Sequence, residues 1–273
     1  MKKTKLPSTI YVFLVFAFLY VPMLIVAFYS FNSSNSTGVF EDFSVRWYVE
    51  LFKDKETLQA FYNTLILAIT SAITSTLIGT LAALGIDKMK KTWRRSVVMM
   101  VTDIPMTNPE IVTGVSMMLL FVFIGSFLKI NGVLGFWTLF IAHVTFSLPY
   151  VILNIMPKLK QLNPNLAEAA QDLGCAPGKA IRKVVIPAIK PGIMSGFIMA
   201  FTLSLDDFII SYFVSGPKFQ TLPIRIYSMT KKRVTPDMYA LSTIIFVVIL
   251  ILLVAINMND LKGNKSKDKE AAK

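Results

Sequence analysis

Glu168-Ala-Ala-Gln-Asp-Leu-Gly174-Cys-Ala-Pro-Gly178-Lys-Ala-Ile-Arg-Lys-Val184-Val-Ile-Pro187 is a polar, helix-forming stretch flanked by two long apolar runs, Val133 to Met156 and Gly192 to Val214. In a soluble protein this would be an ordinary helix, turn and helix. Between two membrane spans it is the piece of chain on which a cytosolic protein can push. The runs decide between these readings, and four more occur: Ile10 to Phe31, Tyr62 to Ile86, Val97 to Phe127 and Met238 to Met258. Each approaches or exceeds the ~20 apolar residues that cross a ~30 Å hydrocarbon core. Hydrophobic residues make up 54% of the 273 and charged residues 16%, against roughly 25% charged in soluble domains. The sequence therefore predicts an all-α membrane protein with six transmembrane helices and both termini on one side.

Basic residues set the orientation. With the termini cytoplasmic, most of the 28 Lys and Arg fall inside: Lys2, Lys3 and Lys5, a loop with Lys88, Lys90, Lys91, Arg94 and Arg95, the loop from Lys158 to Lys190, and a tail from Lys262 to Lys273. The stretch from Ser215 to Asp237 is the exception, placing Lys218, Arg225, Lys231, Lys232 and Arg233 outside. Because the net charge of +12 is spread over loops and a tail, it does not form the concentrated basic face of a nucleic-acid binder. The first apolar run outlasts the roughly 7–15 residues of a signal h-region and no Ala-x-Ala site follows it, so it reads as an uncleaved span. Cys175 is the only cysteine, which excludes an internal disulfide.

Three regions are expected: residues 1–61, a first span with an outer loop; 62–258, a core of five spans with a cytoplasmic loop at 157–190; and 259–273, a basic tail. In the outer loop Phe43, Trp47, Tyr48, Leu51 and Phe52 recur at helical spacing, as in a short helix lying at the membrane surface where Trp and Tyr settle. The faces of Trp47 and Tyr48 are also able to hold a cation, which makes both candidates for a substrate path. Within the core, Ser71, Ser75, Gly79 and Ala83, and again Gly192, Gly196, Ala200 and Ser204, repeat every four residues. Such faces let helix backbones approach closely in lipid, either within this chain or against a second subunit.

Four acids stand inside the runs. Pro105 and Pro109 interrupt the third run, and broken helices in lipid belong against protein or a water-filled path. Asp103 and Glu110 lie in that run and, on a continuous helix, would fall within about 20° of one face; Asp206 and Asp207 lie in the fifth. At ~2.5–3.5 kcal/mol per mid-helix acid, the four oppose insertion by roughly 10 kcal/mol. With a 1.5 Å rise per residue, Glu110 and Asp206 each lie about 20 Å from the inner ends of their runs, at one level of the outer half. No Lys or Arg lies in any run to neutralise them. At least one acid is expected to face a polar path for a cationic solute, Glu110 and Asp206 ahead of Asp103 and Asp207. Bonding to backbone freed by the prolines, or a place among the headgroups, is the competing reading.

In the cytosolic stretch, Asn163 and Pro164 suit a helix start, Leu166, Ala169, Ala170 and Leu173 form an apolar face, and Gly174 suits the end. A second amphipathic segment runs through Ala180, Ile181, Val184 and Val185 to Pro187. An apolar face in the cytosol has to bury itself, on its own bundle or on a partner. Glu168-Ala169-Ala170, three residues, Gly174, nine residues, then Val184-Val185-Ile186-Pro187 resembles the loop Glu-Ala-Ala-x3-Gly-x9-Ile-x-Leu-Pro of importer-type ABC transporter permeases. Val184 and Ile186 replace the usual Ile and Leu.

That resemblance implies the type I importer permease fold. It makes Leu166, Glu168, Ala169, Ala170, Asp172, Leu173, Gly174 and Pro187 part of a coupling helix that docks on a separate ATPase subunit. The segments Phe43 to Tyr48, Pro109 to Val112, Gly135 to Trp137, His143 to Tyr150, Phe201 to Asp207 and Leu222 to Met229 resemble, more narrowly, membrane subunits of spermidine/putrescine importers. They imply a multi-pass protein of a prokaryotic cytoplasmic membrane that imports polyamines. Its implied partners are a companion permease, two ATPase subunits holding ATP and Mg, and an external binding protein. No cofactor or catalytic residue is expected in this chain. Related permeases carry other small solutes, which stays the alternative.

Other chemistry fits poorly. Gly174 to Ala180 has three residues between its glycines and Ala180 after Lys179, whereas a phosphate loop needs four residues and Ser or Thr. His143, the only histidine, cannot build a multi-histidine metal site and is expected to bond to a neighbouring helix. An intramembrane aspartyl protease would need facing aspartates, a part Asp103 and Asp206 imitate loosely, but the sequence contexts of that family are absent. A passive scaffold gives no reason for paired acids.

Overall fold

The computed structural model describes residues 5–34, 38–89, 92–163, 165–232, 236–251 and 254. Among them the regular elements are helices: α1 (Lys5–Tyr29), α2 (Arg46–Lys53), α3 (Lys55–Lys88), α4 (Trp93–Thr107), α5 (Glu110–Phe127), α6 (Phe136–Gln161), α7 (Leu166–Asp172), α8 (Pro177–Ala180), a π-helical turn (Ile181–Val185), α9 (Ile186–Ala188), α10 (Lys190–Asp206), α11 (Ile209–Val214), α12 (Leu222–Lys232) and α13 (Asp237–Ile251). An isolated antiparallel bridge joins Asn32 and Phe43. Contacts divide the chain into two units, Met1–Gln59 with Ile226–Lys273, and Ala60–Arg225. The last helix groups with the first.

In the first unit, α1 leaves large apolar side chains such as Tyr11, Phe13 and Phe18 exposed, the surface that lipid covers. The loop after it is held by its own polar groups. Asn32 donates from Nδ2 to the Val39 carbonyl and accepts from Glu41 N. The expected surface helix is α2, and its amphipathic pattern turns Trp47 and Leu51 inward. Its outward residue Phe52 and the preceding Phe43 remain exposed.

In the second unit α6 is central. Leu139, Ala142, His143, Phe146, Val151, Ile152 and Ile155 are buried along it, and its densest packing is against α10. Both small-residue faces explain the closeness. All eight of Ser71, Ser75, Gly79, Ala83, Gly192, Gly196, Ala200 and Ser204 are buried. A Cβ on Gly79 would come within 2.6 Å of Val151, and one on Gly196 within 3.2 Å of the same residue. With no side chain at Gly79 and Gly196 the backbones close on Val151, and the dispersion contacts so gained hold helices together where lipid offers no hydrophobic drive. The stripes are therefore filled from within this chain.

Of two expectations about spans, one is met in part and the other needs correction. Among the described residues four helices are long and apolar enough to cross a membrane, and five if Pro177–Ala188 and Lys190–Asp206, which meet at 69°, count as one; six were expected. The run from Val97 to Phe127 is not one helix, because Asn108 (ψ 138°) and Pro109 (ψ 132°) are extended between α4 and α5. Proline clashes with a helical residue before it and supplies no N–H, so Pro109 breaks the helix while Pro105 is carried inside α4. With the helix broken, the shared face of Asp103 and Glu110 and the depth counted from Val97 no longer follow. The run from Gly192 also breaks, at Asp207. The run from Met238 to Met258 is described as far as Ile251 and at Val254; its remainder, with Lys2, Lys3, Pro164, Arg233 and the tail 259–273, lies outside the described residues.

Candidate functional site at two facing helix breaks

Within the second unit the two breaks meet, because α11 packs closely on α5. Gly114, one turn past Glu110, makes the approach possible. A Cβ there would lie 3.2 Å from Phe213 Cδ2, 3.4 Å from Ile210 Cα and 3.5 Å from the Ile209 carbonyl oxygen. Glu110 opens α5, and Asp206 closes α10 just before α11. The Glu110 carboxylate feels the charges of Asp207 and Asp206. Neither α5 nor α11 contains a Lys or Arg. With carboxylates at both breaks and no basic residue on α5 or α11, an ammonium group entering there meets opposite charge.

The acids differ in what already engages them. Glu110 and Asp206 are exposed. Asp207 is not: its side chain is 5% exposed. Its Oδ2 accepts from Ser211 N at 2.7 Å and its Oδ1 from Ile210 N at 3.3 Å, so it caps the free N–H groups that open α11. Beyond it lies His143 of α6, which is 2% exposed. His143 Nε2 is 3.4 Å from Asp207 Oδ2 and 3.1 Å from Ser211 Oγ, while Nδ1 is 2.7 Å from Ser204 Oγ. Ser71 of α3 donates to Ser204 Oγ at 3.0 Å. One buried polar chain therefore links α3, α10, α6 and α11, and the expectation that His143 bonds to a neighbouring helix holds.

The remaining path candidates stand elsewhere. Asp103 lies on α4, before the first break, with its Oδ1 buried and without a hydrogen-bond partner. Trp47 and Tyr48 belong to the first unit. Trp47 is 7% exposed; its Nε1 donates to the Asn32 carbonyl at 2.7 Å and the Arg46 guanidinium covers its ring at 4.9 Å. Tyr48 bonds through its hydroxyl to Ser30 Oγ at 2.6 Å and packs on Phe31. The structure thus brings together Glu110, Asp206 and Asp207, and does not bring Asp103 into that charge cluster. Among the described residues no group of three or more His, Cys, Asp or Glu is arranged to hold a metal.

The break at Asp207 and its histidine partner were missed in the sequence. A signal existed: an Asp three and four residues before Ile210 and Ser211 is a helix-start pattern, hidden inside an apolar run that reads as continuous.

In the polar stretch between α6 and α10, α7 has no buried residue. Leu166, Glu168, Ala169, Asp172, Leu173, Gly174 and Pro187 are exposed and Ala170 is half-buried; Leu173 reaches 90% exposure. Asn163 Oδ1 accepts from Asn165 N at 3.0 Å, one residue before α7 begins. Gly174 ends the helix with φ +83°. Its N–H donates to the Gln171 carbonyl and that of Cys175 to the Ala170 carbonyl, a C-terminal closure that needs a left-handed residue. Between α7 and the ends of α3 and α6 lies a groove of about 630 Å³ whose walls include Asp87, Arg95, Lys160, Glu168 and Gln171.

Residues 75–261 match the family described as "Binding-protein-dependent transport system inner membrane component". The chain is 36% identical over 253 residues to the spermidine/putrescine transport system permease protein PotC of Escherichia coli K12, covering 92% of this chain and 93% of that one. It is 38% identical over 230 residues to the putrescine transport system permease protein PotI of the same organism, covering 84% and 82%. Its fold matches a chain of a bacterial ABC transporter involved in import of the acidic polysaccharide alginate, with a TM-score of 0.72, 19% identity and coverage of 94% and 93%. At that identity the likeness concerns the fold alone.

Proposed function

The chain belongs to the family of binding-protein-dependent transport system inner membrane components, and on that premise we propose that it is the permease subunit of an ATP-driven importer of polyamine cations, spermidine or putrescine. A multi-pass membrane protein of this family is a transport subunit rather than an enzyme. The observation that carries the substrate class is the likeness to polyamine permeases along nearly the whole chain. The acids at the facing breaks agree with it, since among the described residues Glu110 and Asp206 form no ion pair with Lys or Arg, and a flexible polycation is drawn to such carboxylates.

In this reading an external binding protein delivers the polyamine, which passes between this chain and a companion permease. Glu110 and Asp206 receive its ammonium groups, while Asp207 keeps its capping task. On the cytosolic side the exposed surface of α7, with Leu173 at its tip, docks on an ATPase subunit that binds ATP and Mg. The six-span layout with cytoplasmic termini is part of the same proposal.

The test is uptake of radiolabelled spermidine and putrescine by proteoliposomes containing this chain with its companion permease, ATPase and binding protein. Uptake that requires ATP on the ATPase side is the expected result. No ATP-dependent uptake of either polyamine, or uptake of a different solute that polyamines fail to compete with, would overturn the proposal.

A further inference from the structure

The polar chain behind the acids is buried, and the transport reading makes no use of it. A histidine at 2% exposure in a helix packed with Leu139, Ala142 and Phe146 is costly to bury unless both ring nitrogens have partners. They do, and with the hydrogen on Nε2 the ring accepts at Nδ1 and donates at Nε2. Ser204 Oγ, 2.7 Å away, donates to Nδ1, and Nε2–H serves Ser211 Oγ at 3.1 Å with Asp207 Oδ2 at 3.4 Å beside it; Ser71 Oγ, which also reaches the Leu67 carbonyl at 2.7 Å, stands 3.0 Å from Ser204 Oγ. Asp207 holds the first amides of α11, and α11 is the element that the backbone at Gly114 touches. His143 thus stands behind the break at the point that fixes where α11 starts. Asp206, adjacent in sequence, is the last residue of α10 and is exposed.

We infer that His143 is a positioning residue for the cation-receiving acids: by holding Asp207 on the amides of α11, it sets the gap between Asp206 and Glu110. It touches no substrate. The inference rests on the proposed transport of polyamines, but its structural half is independent of substrate, because loss of the imidazole frees the start of α11 whatever passes through the protein.

The experiment uses three substitutions in the assembled transporter. Gln presents an N–H near the imidazole Nε2 position and keeps the hydrogen bond to Asp207. Asn reaches only the Nδ1 position and keeps Ser204. Phe keeps the volume and neither bond. Half-saturating concentration and maximal rate of spermidine uptake are measured, with amide hydrogen exchange across Ile209–Val214 in the purified complex. His143→Phe and His143→Asn are expected to raise the half-saturating concentration about tenfold, the worth of one lost charge-assisted hydrogen bond, with a much smaller fall in maximal rate. His143→Gln should stay within about threefold of the wild type. Exchange at Ile210 and Ser211 should quicken in Phe and Asn and not in Gln.

Equal behaviour of Gln, Asn and Phe would reduce His143 to a packing residue and overturn the inference. So would altered maximal rate with unchanged half-saturation. A wild-type complex that moves no polyamine would sink the transport reading alone, since the exchange pattern still decides whether His143 holds the break. Should Phe fail to assemble, the contrast between Gln and Asn carries the same decision.

Discussion

Gly114 offers a graded test of the separation between the two breaks. The methyl of Gly114→Ala would meet Phe213 Cδ2 at 3.2 Å and Ile210 Cα at 3.4 Å. The first is a ring that can yield by a few tenths of an ångström, and the second is ordinary contact. Alanine also regains up to about 1 kcal/mol of helix propensity over glycine, so the two terms nearly cancel. Gly114→Val is different in kind. Its added carbons reach about 1.5 Å beyond Cβ and meet the backbone at Ile209 and Ile210, which cannot rotate away as a side chain can. Overpacking of this sort costs about 1–3 kcal/mol, a factor of about 5–150 in the population of the close-packed arrangement.

The assay is half-saturation of spermidine uptake in proteoliposomes, normalised to the amount of assembled complex. Ala is expected within about threefold of the wild type, and Val at least fivefold weaker. Wild-type affinity in the Val variant would refute the claim that this contact sets the gap between the acids. Ala as damaging as Val would show that the loss comes from local folding instead.

Three further outcomes are expected. Glu110→Gln and Asp206→Asn should each weaken polyamine uptake by about tenfold through loss of a partly solvated charge pair, with the complex still purifying intact; normal uptake in both would return these acids to a purely structural role. Glu168→Ala and Leu173→Ser should leave insertion and yield unchanged, since both side chains are exposed, yet lower substrate-stimulated ATP hydrolysis; a wild-type rate in both would remove α7 from the coupling surface. Gly216→Ala combines a φ of +67° with a Cβ 2.5 Å from the Leu134 carbonyl oxygen. Strain of ~1–3 kcal/mol plus a clash with backbone should lower the thermal midpoint of the solubilised chain, and an unchanged midpoint would mean that this turn relaxes freely.

What was legible in the sequence follows from local physics. Apolar runs of spanning length announced an all-helical membrane chain, because lipid leaves the backbone few other choices. The four-residue spacing of Ser71 to Ala83 and of Gly192 to Ser204 announced close helix contact. The amphipathic pattern around Trp47 and the glycine at position 174 announced a short helix and a helix end. Composition and spacing also marked Glu110 and Asp206 as costly acids in need of a reason.

What the tertiary structure alone decided concerns relations between distant pieces. Whether Pro109 kinks a helix or ends it depends on what receives the freed backbone, and Pro105, carried inside α4, shows that proline by itself does not settle the matter. Nor does sequence reveal that Asp207 is withdrawn to cap α11 while its neighbour Asp206 stays exposed, since two adjacent acids carry the same local signal. That division is made by His143, 64 positions earlier in the chain, and by the missing side chain at Gly114. Burial and hydrogen-bond partners are properties of the packed molecule, and only packing brings α5, α6, α10 and α11 to one place.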